Sequence, residues 1–288
     1  MMTRVGIVLL RLLAPLPLPL VRGLGGWLGR LLYRVVGSRR RIALTNLALC
    51  FPDMPAAERE ALARKAFEVF VQAWLDRAWL WHGDPEVTRT RLRMTGDLAP
   101  FEGSAPLLLF APHFVGLDAG ATALSQQVER QFATIYTPQS NKVVDAWVAR
   151  GRQRFGNAKL YNRGDGIKPI IAALRAGEPV YLLPDMDFGA RDSVFVPFYG
   201  VPAATVPSLS RFARLGRARV VPVVTRLTPE GYEVQVLPAW EQFPSADAEA
   251  DTALMNQRLQ GYIDAMPEQY FWVHKRFKTR PPGEPSVY

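Results

Sequence analysis

His113 ends the apolar run in "PLLLFAPHFVGLDAG" (residues 106–120), and Asp118 follows five positions later. An imidazole titrates near neutrality, so it can take a proton from a hydroxyl as that oxygen attacks a carbonyl. Such a base works best when its second nitrogen is held by a carboxylate, which sets the tautomer and stabilises the imidazolium that forms. A strand over Leu107–Ala111, broken by Pro112, puts His113 at the strand's C-terminal edge. A helix beginning near Phe114 then carries Asp118 about one turn on, within reach of the ring. A histidine hydrogen-bonded in the core, with Asp118 as a helix-surface acid, accounts for the same letters, and the residues alone leave both readings open. No G-x-S-x-G elbow is present, and the lone cysteine, Cys50, is remote in sequence. If His113 is catalytic, the attacking hydroxyl therefore comes with the substrate, which suits a transferase better than a hydrolase. Neither a P-loop nor G-x-G-x-x-G occurs, so no nucleotide cofactor is indicated.

Two other stretches could do chemistry. In "YLLPDMDFGARDSVFVPFYG", Asp185 and Asp187 follow an apolar strand and match the D-x-D with which many glycosyltransferases hold a divalent metal and a nucleotide sugar. A membrane-bound, metal-dependent glycosyltransferase is therefore the rival enzymatic reading; two solvated acids in a turn is the plainer one. Arg191 nearby could pair with an acid or with a ligand phosphate. In "QYFWVHKRFKTRPPGEP", His274, Lys275, Arg276, Lys278 and Arg280 interleave with Phe271, Trp272 and Phe277. Such a cluster could bind a phosphorylated headgroup, an acidic carrier protein or nucleic acid, or form a basic surface without a ligand. Three histidines and one cysteine leave little for a zinc site, and no metal is expected.

The elements that must position these groups fall into two parts. Residues 1–50 hold eight arginines and no acid, nearly all of the formal net charge of +9. The rest of the chain is close to neutral. Nucleic-acid binders also concentrate positive charge, but they do not usually interleave it with "VGIVLLRLLAPLPLPLV". Basic and apolar together point to an anionic membrane surface. The longest uncharged run in this stretch, Leu12–Val21, is ten residues, short of the roughly 18–20 that a spanning helix needs. Residues 1–45 are therefore expected to form a helical arm lying in or shallowly inserted into the membrane, with Arg4, Arg11 and Arg22 on nearly one face and the prolines breaking the helix. Gly25 and Gly29 form a G-x-x-x-G that fits close packing better than dimerisation.

Residues 46–288 are expected to form the second unit. A long helix ends in the aromatic stretch of Trp74, Trp79 and Trp81, read as core or pocket wall. Strands and helices then alternate: Leu107–Ala111, a helix near Gly120–Arg130, "RQFATIYTP", a helix over Asn141–Phe155, "IKPIIAALRAGE", "PVYLLPD", a helix over Ser208–Leu215, and two strands in "RVVPVVTRLTPEGYEVQVLP". The alternation predicts an α/β fold, a mostly parallel or mixed central sheet flanked by helices. Ligands in such sheets bind beyond the carboxyl ends of the strands, where His113, Asp185 and Asp187 all fall.

At these residues the chain resembles a known family. The H-x-x-x-x-D of His113 to Asp118 is similar to the acyltransferase motif of the glycerolipid and lysophospholipid acyltransferase superfamily. The surrounding text resembles one branch, the bacterial lipid A biosynthesis acyltransferases of the late, secondary, lauroyl type. "RRIALTNLALCFPDMPAAERE", "IYTPQSNKVVDAWVARGRQRFG" and "PDMDFGARDSVFVPFYGVPAATVPSLSRFA" resemble successive blocks of that branch, and "MPEQYFWVHKRFKTRPPGEP" nearly reproduces its C-terminal block. The resemblance implies an enzyme at the cytoplasmic face of the bacterial inner membrane. It would move a fatty acyl chain from acyl carrier protein to a hydroxyl of a Kdo-bearing lipid A precursor. It also implies His113 as base, Asp118 as its orienting partner, and Arg152 as a contact to the donor or the tetrahedral intermediate. Two positions depart from the pattern: many relatives have glutamate at Asp118, and the second block commonly reads Tyr-Arg-Pro where this chain has Tyr136-Thr137-Pro138.

Overall fold

The apolar strands become the middle of one sheet. The structure, a computed structural model, describes residues 2–156 and 158–288. It begins with six helices, α1 (Met2–Leu12), α2 (Leu18–Val35), α3 (Gly37–Cys50), α4 (Ala56–Leu75), α5 (Arg77–His82) and α6 (Pro85–Thr90). The alternating part follows as β1 (Leu92–Gly96), β2 (Leu107–Phe110), α7 (Leu117–Gln127), β3 (Phe132–Tyr136), α8 (Lys142–Arg152), β4 (Ala158–Asn162), α9 (Lys168–Arg175) and β5 (Val180–Leu182). The chain continues through β6 (Val194–Phe198), β7 (Val201–Thr205), α10 (Ser208–Gly216), β8 (Arg219–Thr228), β9 (Gly231–Val236) and α11 (Ala248–Asp264).

Among the described residues the main sheet runs β1-β9-β8-β2-β5-β3-β4, and β6 and β7 form a separate antiparallel hairpin. Every neighbouring pair in the main sheet is parallel except β8 with β9, which share the Pro-Glu-Gly turn. This is the α/β architecture expected, a mostly parallel mixed sheet flanked by helices. Successive residues of β2 explain why all four are buried. Leu108 and Phe110 enter the core shared with α9, α10 and α11, whereas Leu107 and Leu109 enter the one shared with α5 and α7. Each such side chain contributes about 1.5–3 kcal/mol by leaving water.

The register places the site. Phe110 of β2 pairs with Leu182 of β5, and the Ala111 N–H continues the pairing to the Leu182 carbonyl at 2.9 Å. His113 and Asp185 are each three residues beyond that pair, so the two loops deliver them to the same spot at the sheet's carboxyl edge.

The prolines do break the first helix, and α1 and α2 are separated at residues 13–17. From there on the helices pack on the rest of the chain. α2 lies along α4 with almost no gap: a Cβ on Gly29 would stand 2.5 Å from the Glu68 Cα, and one on Gly25 2.8 Å from the Gln72 Cα. The G-x-x-x-G thus serves close packing within the chain. Arg22 departs from the expected basic face, because its guanidinium is turned inward onto the buried Asp76 (Nη2–Oδ2 2.9 Å). Asp76 also accepts from Trp79 Nε1 (2.9 Å) and the Tyr232 hydroxyl (2.8 Å), which is why a charged pair is tolerated there. The outer faces of α1 and α2 leave Val5, Val8, Leu9, Leu12, Leu20, Leu24, Trp27 and Val35 exposed. Among the described residues no helix is long and apolar enough to cross a membrane. Cys50 is buried, and burial pushes its thiol well above the ordinary range.

Candidate active site

His113 is held by Asp185. Its Nδ1 lies 2.7 Å from Asp185 Oδ1, while its backbone N–H donates to Asp185 Oδ2 at 3.0 Å. The Tyr270 hydroxyl donates to the same Oδ2 at 3.0 Å. A carboxylate can only accept here, so Nδ1 carries the proton and Nε2 is left as the basic nitrogen. Burial opposes ionisation of Asp185, but the charge and hydrogen bonds of His113 outweigh it and hold the carboxyl below its ordinary value. Among the described residues no Ser, Thr or Cys side chain hydrogen-bonds to His113.

The expected contact between Asp118 and His113 is therefore not the one formed. The helix does not begin at Phe114. Phe114 bridges to Tyr270, the Val115 N–H reaches the Gln269 carbonyl (2.9 Å), and the Phe271 N–H reaches the His113 carbonyl (3.1 Å). These bonds tie residues 113–115 to the C-terminal segment, and α7 starts only at Leu117. Asp118, in its first turn, instead meets two arginines. Oδ2 accepts from Arg77 Nε and Nη2 at 2.9 and 2.6 Å, and Oδ1 accepts from Arg152 Nε at 3.0 Å. Burial alone would raise the Asp118 carboxyl, but the two guanidinium charges bring it down to about 2. Arg77 has no place in the sequence reading; a lone cation among Trp74, Trp79 and Trp81 was the available signal. Its guanidinium also sits 5.4 Å from the centre of the Trp81 ring.

His113, Asp118, Arg77 and Arg152 all line one cavity of about 720 Å³. Most of its remaining wall is apolar, including Phe70, Trp74, Ile135, Leu160, Ile170, Leu182, Phe212 and Phe271. Of the tryptophans, Trp79 and Trp81 are core and Trp74 belongs to this wall. The cavity thus combines a histidine held by a carboxylate, two arginines preset by a buried carboxylate, and a largely apolar interior. Such a site suits an anionic amphiphile.

The other candidate residues do not line it. Asp187 Oδ1 accepts from Gly189 N–H (2.9 Å) and Thr279 Oγ1 (2.8 Å), and Oδ2 accepts from Thr279 N–H (2.7 Å). With Asp185 held by His113 and Tyr270, all four carboxylate oxygens of the D-x-D accept from the protein. Among the described residues no group of three or more His, Cys, Asp or Glu could hold a metal ion. The glycosyltransferase reading of Asp185 and Asp187 is corrected on those contacts. Arg191 lies exposed in the following turn. His274 Nε2 accepts from the Asp187 N–H at 3.2 Å. Burial first, then the His113 and Arg276 charges, push the His274 ring down to about 4, so it is neutral near neutral pH. Lys275 reaches over the Tyr288 ring at 5.4 Å. Arg276 is not a surface cation: it is buried, donating to the Ala204 carbonyl (2.9 Å) and Thr205 Oγ1 (2.7 Å). Its guanidinium also reaches Asn256 Oδ1 at 3.4 Å, so it bonds both the β6–β7 hairpin and α11.

Comparison with known proteins adds an independent line. The sequence pattern of the family described as "Bacterial lipid A biosynthesis acyltransferase" matches residues 1–279. The chain is 37% identical over 294 residues to a lipid A biosynthesis lauroyltransferase of Escherichia coli (strain K12), covering 100% of this chain and 94% of that protein. It is 36% identical over 266 residues to a lipid A biosynthesis myristoyltransferase of the same strain, covering 91% and 82%. A lipid A biosynthesis palmitoleoyltransferase of that strain is 31% identical over 299 residues, covering 100% and 94%.

Proposed function

From the premise that the chain belongs to the bacterial lipid A biosynthesis acyltransferases, and is an acyltransferase, we propose that it moves a fatty acyl chain from acyl carrier protein to a hydroxyl of a lipid A precursor. His113 is the general base in this proposal, and Asp185 is the residue that positions it. The observation that carries the reading is His113, held by Asp185 and lining a largely apolar cavity, with no protein nucleophile bonded to the ring among the described residues.

Nε2 of His113 takes the proton of the acceptor hydroxyl as its oxygen attacks the thioester carbonyl. The tetrahedral intermediate collapses with cleavage of the C–S bond, and the imidazolium returns its proton to the departing thiolate. The products are an ester and a free thiol. Asp185 holds the Nδ1–H throughout and stabilises the imidazolium. Arg152 and Arg77, fixed by Asp118, face the same cavity and are suited to an anionic group: a substrate phosphate or the oxyanion. The apolar wall suits the acyl chain. In this role Asp118 acts on the arginines rather than on the histidine.

We further propose that the enzyme works on the cytoplasmic face of the bacterial inner membrane. The exposed apolar side chains of α1 and α2, interleaved with arginines, support a surface association. The test is transfer of a labelled acyl chain to a Kdo-bearing lipid A precursor by the purified full chain, with acyl carrier protein or coenzyme A as the thiol. Transfer from the carrier protein is expected. Failure with both donors, in protein shown to be folded, refutes the proposal.

A further inference from the structure

We infer that the groove between α1 and α8 is a binding site for the anionic headgroup of a membrane phospholipid, separate from the acyl-transfer cavity. The inference deepens the membrane-association reading and rests on it, but it does not need the acyl-transfer mechanism.

The groove has a volume of about 500 Å³. Arg4 and Arg11 of α1, two helical turns apart, face Lys142 and Arg150 of α8, also about two turns apart. All four are exposed, no acidic residue lines the groove, and none of the four forms an ion pair among the described residues. Two helices are thus held side by side across four like charges. Among the described residues, apolar contact and one polar tie hold them, the Asn141 amide donating to Thr3 Oγ1 at 3.1 Å. An anion seated between the helices would relieve the repulsion and bridge α1 to α8.

The character of that anion follows from what flanks it. Val8 lines the groove, and with Val5, Leu9 and Leu12 of α1 it is more than half exposed. A phosphate carrying hydrocarbon chains matches cations bordered by exposed apolar surface. An acidic protein helix would neutralise the charges but leave those side chains in water, and a free phosphate would ignore them. The lipid headgroup is the ligand that uses both features.

The test compares binding of the purified full chain to vesicles of phosphatidylcholine alone and with phosphatidylglycerol added. Three proteins are used: the unaltered chain, Lys142→Glu/Arg150→Glu, and the control Arg211→Glu/Arg219→Glu. The control makes the same change in net charge at exposed positions on α10 and at the start of β8. Circular dichroism and acyl transfer in detergent check that each variant is folded. The unaltered chain is expected to prefer the anionic vesicles. The α8 variant is expected to lose about tenfold or more of that preference, since each cation near an anionic surface contributes about fivefold and two are reversed, while its binding to phosphatidylcholine is unchanged. The control is expected to keep most of the preference. Equal losses in both variants, or none in the α8 variant, overturn the site while leaving membrane association standing. Saturable binding of inorganic phosphate without vesicles, abolished by Lys142→Glu/Arg150→Glu, reassigns the groove to a free anion and overturns the proposal. Retained vesicle preference with weakened acyl carrier protein binding makes it a protein dock and overturns it too. No binding to either vesicle overturns both this inference and the membrane-association reading.

Discussion

Replacing Asp185 with asparagine keeps the side chain's shape and removes its charge, which isolates what the carboxylate does for His113. The carboxylate accepts three donors: His113 Nδ1–H at 2.7 Å on Oδ1, and the His113 N–H and Tyr270 O–H, both at 3.0 Å, on Oδ2. An amide has one oxygen. Two of the three donors converge on Oδ2, so the amide oxygen takes that position and the NH2 group turns toward Nδ1. Nδ1 must then accept, the ring proton moves to Nε2, and the base is lost. Removing the charge of a histidine-orienting aspartate in this way costs about 10³–10⁴ in kcat, or about 4–5.5 kcal/mol of transition-state stabilisation. The assay is steady-state transfer from acyl carrier protein to a lipid A precursor, with kcat and KM separated. Asp185→Asn is expected to lower kcat by that factor with KM within about threefold, because the cavity walls are untouched. Tyr270→Phe leaves the charge and the Nδ1 bond in place and is expected to cost less than about tenfold. A folded Asp185→Asn protein retaining more than about a tenth of the normal kcat refutes the pairing as the source of basicity.

Two further outcomes follow from buried charges. The Asp118 carboxyl lies at about 2 in the folded chain against an ordinary 3.8, so the unfolded chain binds the proton more tightly. Its stabilising contribution is therefore fully present above about pH 4 and lost as pH falls toward 2, amounting to about 2 kcal/mol. In urea unfolding, the deficit of Asp118→Asn relative to the unaltered chain should be flat from about pH 5 to 8 and shrink in acid. A deficit that grows on acidification contradicts the assignment. Asp76→Ala leaves Arg22 buried without its carboxylate and is expected to destabilise by about 3–5 kcal/mol, whereas Arg22→Met/Asp76→Leu recovers most of the loss; chemical denaturation reads both. Equal losses in the single and double variants would show that packing rather than charge sets the cost.

The strands that carry the site were legible because each is a short continuous apolar run followed by a breaker, as in Leu107–Ala111 before Pro112. That placed His113 and Asp185 at one edge of the sheet. Their pairing was not legible, because it depends on β2 and β5 lying side by side in register, a contact 72 positions apart in the chain. Spacing along the chain favoured the nearer acid, Asp118. Likewise the period of arginines near the start suggested one basic face, yet Arg22 turns inward to a carboxylate 54 positions away. Arg276 read as part of a basic surface because its neighbours Lys275 and Lys278 are exposed; burial by the β6–β7 hairpin and α11 is not written in the local sequence. The short strands β1 and β4 were not anticipated either, since they sit at the two edges of the sheet, where β1 buries only Leu92 and β4 buries no residue fully. Local periodicity thus reported which elements form, and tertiary pairing decided which charges meet.

The proposed chemistry stands on His113 as the base that lets a lipid A hydroxyl take an acyl chain. It is tested most directly by mass spectrometry of lipid A from cells lacking the gene, complemented with either the unaltered chain or His113→Ala at matched protein levels. One added acyl mass is expected with the unaltered chain and none above background with His113→Ala. An undiminished acyl addition in the His113→Ala cells would contradict it.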